Sequence, residues 1–158
     1  MNPAIRTILA TVALFLAAAS VQSQTPARYI YSTAGDEVTD SNTGLIWRRC
    51  SEGQTWSGGT CTGTAAAYGH EQALIQVRVQ SGTAGWRLPN VKELTSIADK
   101  TRTSPTIDPT AFPETPSAWY WSSTPYVGDS SFAWFVNFVN GTVDQDYRYH
   151  SYRVRLVR

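Results

Sequence analysis

Residues 144–155 read DQDYRYHSYRVR, which puts two acids, three arginines, three tyrosines and a histidine into twelve positions. Arginine and protonated histidine take a carboxylate or sulfate through charge-assisted hydrogen bonds, and tyrosine rings offer faces for stacking. A connection between the last two strands would turn Arg148 and His150 outward, with Tyr147, Tyr149 and Arg153 beside them. These five are candidate ligand residues. The competing reading is a solvated hairpin end with scattered charge. Arg155 is expected to make a structural ion pair or backbone bonds instead of meeting a ligand.

Six tryptophans add a second source of binding surface. Large aromatics fill the cores of small α+β domains, and Trp47, Trp86 and Trp121 are assigned there. Trp56, between the two cysteines, and Trp119, after a proline-rich stretch, are expected to be exposed and join the candidates. Catalysis has less support. The histidines are His70 and His150, and no G-x-S-x-G, H-E-x-x-H or glycine-rich phosphate loop is present. His70 reads as a solvated helix residue. The chain is therefore expected to be non-catalytic, with no cofactor and no metal site. The run Asp40–Gly44 (DSNTG) opens as many calcium loops do, but no further acids follow at ligand spacing, so a plain turn is favoured.

Several elements must position these residues. EVTD and LIW read as two strands around the 40–44 turn. Thr64 is expected to cap a helix through AAAYGHEQALIQVRV, with Ala65, Tyr68, Gln72, Ile75 and Val79 on one face and Ala66, Ala73 and Val77 beside it. GWRL reads as a short strand that Pro89 ends. Asn90 caps a second helix, and Glu93 returns the bond to the cap, leaving Leu94, Ile97 and Ala98 on its apolar face. Four prolines make 101–118 an irregular loop. WYWSST is a strand, SSFAWFVNF-VNGT-VDQDY a hairpin with Asn140-Gly141 as a type I′ turn, and YRVRLVR a final strand. The class is α+β, with the helices segregated to one side of an antiparallel sheet.

The chain has 158 residues, the size of one domain. Residues 1–23 have the layout of a secretory signal peptide: one cation, Arg6, an apolar run too short to span a bilayer, then small residues. Residues 24–37 follow as a lead-in, and 38–158 form the domain. Thirteen Lys and Arg face twelve Asp and Glu. The leader holds one of those cations and no acid, so the remainder balances, which argues against a nucleic-acid binder. In an exported chain, Cys50 and Cys61 read as one disulfide around a Gly/Ser/Thr-rich loop.

The motifs VTDSNTGLIWRRC at 38–50, GWRLPNVKEL at 85–94, FPET at 112–115, YWSST at 120–124, AWFVNFVNG at 133–141 and VRLVR at 154–158 occur in one order. In this the chain resembles the exported bacterial domain family named after the C-terminal domain of the Legionella collagen-like adhesin. The resemblance implies a C-type-lectin-like fold, two helices on a small antiparallel sheet with long loops, similar also to formylglycine-generating enzymes. Copper-thiol chemistry is not carried over, because Cys50 and Cys61 flank a short N-terminal loop. Family members often carry a further cysteine pair, and the matching positions here are Gly69 and Leu156. The best-known member is a trimeric adhesin domain that binds sulfated glycans. No collagen-like repeat accompanies this chain, so a stalk-driven trimer is not implied. The expected function is an adhesin-like binding domain, periplasmic or at the cell surface, for glycan or another surface polymer, sulfated or anionic ones included. The alternative partner is an envelope protein, pilus or fibre that the domain docks to as an assembly module. No membrane insertion is expected once the leader is removed.

Overall fold

The computed structural model describes residues 27–81 and 85–158. The expected signal peptide lies outside the described residues. The chain is α+β, with two helices and three small antiparallel sheets among the described residues. The first sheet joins β1 (Tyr29–Tyr31), β2 (Glu37–Asp40) and β3 (Ile46–Arg48). Its first strand lies in the 24–37 lead-in. The second sheet is the hairpin of β4 (Thr55–Ser57) and β5 (Thr60–Thr62), closed by the Cys50–Cys61 disulfide. Helix α1 spans His70–Ser81 and α2 spans Val91–Ser96. The third sheet runs β6 (Trp119–Pro125), β7 (Phe132–Asn137), β8 (Thr142–Tyr147) in that order.

Alternation along the third sheet divides the core in two. Tyr120, Val136 and Phe138 face one cluster, with Trp47, Phe112 and the α2 residues Leu94 and Ile97. Trp121, Ala133 and Phe135 face the other, with Trp86, Leu88 and the α1 residues Ala73 and Val77. The helices therefore take opposite faces of this sheet, not one side. Trp47, Trp86 and Trp121 are buried, as their positions suggested.

The first helix begins later than its apolar spacing implied. Tyr68 gives its N–H and C=O to Tyr152, at 2.9 and 3.0 Å, so the backbone is extended there and the helix starts at His70. The inner stripe is then His70, Ala73, Leu74 and Val77, while Ile75 and Val79 face solvent. His70 is 1% exposed, which corrects its reading as a solvated residue. The β7–β8 turn differs too. Gly141 alone of the pair has positive φ, so no type I′ turn forms. Phe138 is drawn into the core and bonds Ala118 and Thr106 of the proline-rich loop, which stretches the connection to four residues.

The stretch GWRLPNVKEL is a joint. Asn90 Oδ1 accepts from Glu93 N at 2.9 Å, and Glu93 Oε2 accepts from Asn90 N at 2.8 Å, a complete capping box. Arg87 adds two 2.7 Å bonds to the same carboxylate, which holds Glu93 below the usual carboxylate range. The Arg87 backbone pairs with Val157 instead of a strand of its own.

The C-terminal segment does not alternate as a single strand would. Residues 152, 154, 155, 156 and 157 are all buried. The backbone of residues 152, 153, 154, 156 and 157 bonds in turn to Tyr68, β6, Glu52, β3 and Arg87, so the segment is a seam through the described residues. Within it, Arg155 is fully buried. Its Nη1 donates to the carbonyls of Arg48 and Arg49, its Nη2 to Thr115 Oγ1 (2.6 Å) and Ser51 Oγ (3.3 Å), and the guanidinium lies 4.8 Å from the Phe112 ring centre. The expectation of backbone bonds holds. Arg49 ties the same loop from the other side, donating to Ala111 O, Thr110 O and Gly35 O at 2.9, 2.7 and 2.6 Å.

Arg155→Ala leaves these acceptors buried and unpaired beside a new cavity. It should cost about 3–5 kcal/mol of unfolding free energy, read from the midpoint and slope of a urea titration. Replacing Cys50 and Cys61 by serine should cost about 3 kcal/mol in the same titration, because the loop is short.

Candidate ligand-binding face

The seam brings the end of β6 beside the residues after β8. Trp119 is 43% exposed. Its ring stacks on Phe135 at 5.4 Å and meets the face of Tyr152 edge-on at 5.0 Å. Beyond Tyr152 come His150 at 6.4 Å, then Tyr149 at 4.6 Å from His150, then Tyr147 stacked on Tyr149 at 5.2 Å. Tyr147 leans on Phe132 at 4.1 Å. The result is a strip of rings in contact, with Tyr149 the most exposed at 73% and Tyr152 buried as the link to Trp119.

Two shallow grooves border these rings and share Ser151 in their walls. One, of about 500 Å³, lies between Trp119, Tyr152, Arg153, Ala118 and Val139. The other, of about 380 Å³, lies between Arg148, Tyr149 and the α1 residues Glu71 and Gln72.

A carboxylate sits in the middle. Asp146 Oδ2 accepts from Tyr152 Oη and from His150 Nδ1, the latter at 2.9 Å, and Oδ1 accepts from Tyr147 N at 2.7 Å. Burial pushes the Asp146 carboxyl up, but these three bonds outweigh it and hold the group below its ordinary value. Burial first, and then the Asp146 charge, push the Tyr152 phenol well above its ordinary value of 10.0. An ionised Asp146 can only accept, so His150 Nδ1 carries a proton. An acid that orients a histidine in this way resembles half of a catalytic triad. Among the described residues, no Ser, Thr or Cys side chain bonds the other ring nitrogen.

Six of the seven candidate residues thus lie on one face: Trp119, Tyr147, Arg148, Tyr149, His150 and Arg153. Arg148 does not project freely as expected. Its Nε donates to His70 Nδ1 at 3.0 Å and its Nη1 to Ser130 O at 3.5 Å. Arg153 Nη1 donates to Ala65 O. Both cations spend donors on the fold. Trp56 belongs elsewhere and is half-buried, with its ring under the Arg49 guanidinium at 4.2 Å and its Nε1 bonded to Ala34 O at 3.1 Å. It borders a separate polar cleft of about 520 Å³ with Arg48, Glu52 and Gln54. Sequence reasoning passed over Asp146 and Tyr152 as site residues. The i, i+4 spacing of Asp146 and His150 was the available signal. In the 40–44 turn, both Asp40 oxygens bond Arg28, at 3.0 and 2.8 Å.

Asp146→Asn removes the charge beside Tyr152. The phenol, followed by ultraviolet absorbance, should then ionise at lower pH than in the parent, though burial keeps it above 10.0. An unchanged titration would contradict the Asp146–Tyr152 pairing.

The family model of the Lcl C-terminal domain matches residues 36–158, and the chain belongs to that family. No curated protein matches it.

Proposed function

We propose that this Lcl C-terminal domain is an exported, non-catalytic binding module that holds a saccharide against the strip from Trp119 to Tyr147. Family membership supports a binding domain in general. No helix among the described residues is long and apolar enough to cross a membrane. A C-type-lectin-like lineage agrees with the two helices and small antiparallel sheets.

The observation that carries the saccharide reading is the strip itself: the exposed rings of Trp119, Tyr147 and Tyr149 around a bonded carboxylate, flanked by two shallow grooves that share Ser151. Sugar rings present apolar C–H faces to aromatic rings and hydroxyls to acids, amides and serine. Asp146, His150 and Ser151 supply such partners along the strip. Because Arg148 and Arg153 already bond the fold, stacking contributes more here than charge, and sulfate is an addition to the recognition instead of its basis. Binding should therefore persist at high salt, where exposed ion pairs are screened.

A glycan array of the secreted chain is the direct test. Tyr149→Ala, at an exposed position, should keep the fold by circular dichroism and weaken a retained glycan by about 1 kcal/mol, roughly fivefold in Kd. Trp119→Ala should do at least as much. Parental affinity in both variants would overturn the proposal. Stable co-purification with an envelope protein, lost in the same variants, would instead favour the assembly-module alternative.

A further inference from the structure

His70 contributes nothing to the strip directly, yet both its ring nitrogens are in use. Nε2 lies 2.9 Å from Ser122 O. A carbonyl only accepts, so Nε2 carries the hydrogen. Nδ1 lies 3.0 Å from Arg148 Nε. A guanidinium N–H only donates, so Nδ1 must be bare. The partners thus require a neutral ring and fix its tautomer.

We propose that His70 is a positioning residue for the ligand face: its protonation in mild acid frees Arg148 and loosens the 147–151 turn, so that ligand is held near neutral pH and released in acid. The second half of this rests on the saccharide reading; the first does not.

The geometry makes the ring a latch. An imidazolium would aim Nδ1–H at the Arg148 N–H, donor against donor and cation against cation, in a site 1% exposed. It would also sit in the first turn of the twelve-residue α1, where the helix dipole opposes positive charge. Arg148 is the strap that the latch secures. Its carbonyl accepts from His70 N at 2.8 Å, its N–H donates to Ser131 O at 2.9 Å, and its Nη1 reaches Ser130 O. It therefore joins α1, the β6–β7 loop and the turn bearing Tyr147 and Tyr149.

The charged groups around His70 offer no compensation. On α1, Glu71 faces the groove shared with Arg148. In the β6–β7 loop, Asp129 bonds its own Ser131 N at 2.8 Å. After β8, Asp146 is taken by His150 and Tyr152, and β6 presents uncharged Trp121 and Ser122. Glu71 gives a released Arg148 guanidinium a carboxylate across the groove. Burial above all holds the His70 pKa below its ordinary 6.5; the bond to Ser122 O opposes it, and the Arg148 charge adds to it. The neutral ring's contribution is thus complete above the unfolded value and is lost as pH falls from there through the lower folded value. Asp40, Glu93, Asp99 and Asp146 are all held below their usual range, so they remain ionised through the first part of that fall.

Nitrogen-edited NMR of the mature chain reads the latch without ligand, and it follows each imidazole separately. The slowly exchanging Arg148 Nε–H signal should be lost in step with His70 protonation as pH falls below the ordinary histidine value of 6.5. Retention on the best array glycan should fall about tenfold over the same range, the equivalent of one pKa unit of linkage. His70→Gln can accept from Arg148 and donate to Ser122 O without titrating, so both signals should become flat with pH. Should that variant fail to fold, Arg148→Met serves instead: its His70 should titrate at higher pH than in the parent. An Arg148 signal that survives His70 protonation overturns the proposal, as does a parental pH profile in His70→Gln or an unmoved titration in Arg148→Met. If the NMR latch opens but Tyr149→Ala binds every glycan as the parent does, the saccharide reading falls while the latch stands.

Discussion

A fully buried cation without a carboxylate partner among the described residues organises this molecule. Arg155 is neutralised by two backbone carbonyls, two hydroxyls and an aromatic face. Its Nε has no partner among the described residues, so its burial is costly. The arrangement persists because most of those acceptors belong to segments outside regular structure. Arg48 is the last residue of β3 and Arg49 follows it, Ser51 opens the disulfide loop, and Thr115 and Phe112 lie in the proline-rich loop. A planar group with five donors can serve such converging acceptors at once. An apolar side chain would leave them bare.

The same seam makes the candidate site. Tyr152 and Arg153 stand next to Trp119 because the C-terminal backbone bonds β6 there, with Arg153 N–H given to Trp119 O at 2.9 Å and Trp121 N–H to Arg153 O at 3.0 Å. The outer edge of the third sheet is closed differently. Gln145 N–H and Tyr147 N–H bond the carboxylates of Asp144 and Asp146 at 2.9 and 2.7 Å. Side-chain acceptors on an edge strand keep a stray strand from pairing there. Asp146 therefore has two jobs, guarding the edge and holding Tyr152 and His150.

Local signals were read well from the sequence. Asn90 and Glu93 made the capping box, the aromatic-rich segments made strands, and two cysteines in a short loop made the disulfide. Contacts distant in sequence defeated local reading. Apolar spacing placed the first helix from Ala65, behind a Thr64 cap, but Tyr68 was claimed by Tyr152 and the helix began five residues later, at His70. Asn140-Gly141 carried a strong turn signal, yet burial of Phe138 changed the turn. His70 looked polar and solvated because its partners, Ser122 and Arg148, are 52 and 78 residues away. Of the site, the cluster after β8 was legible as a composition, and its use of Arg148 was not.

The sequence by itself determined the family, the α+β class and the residues that cluster after β8, since motif order, hydrophobic period and turn chemistry are written along the chain. Tertiary structure alone decided which of those residues face outward. A guanidinium shows its charge in the sequence, but its acceptors are carbonyls and ring nitrogens that only folding brings within hydrogen-bond reach. That is why Arg148 and Arg153 read as two similar ligand cations and became a strap and a tether, while Arg155, read as structural, became a buried hub.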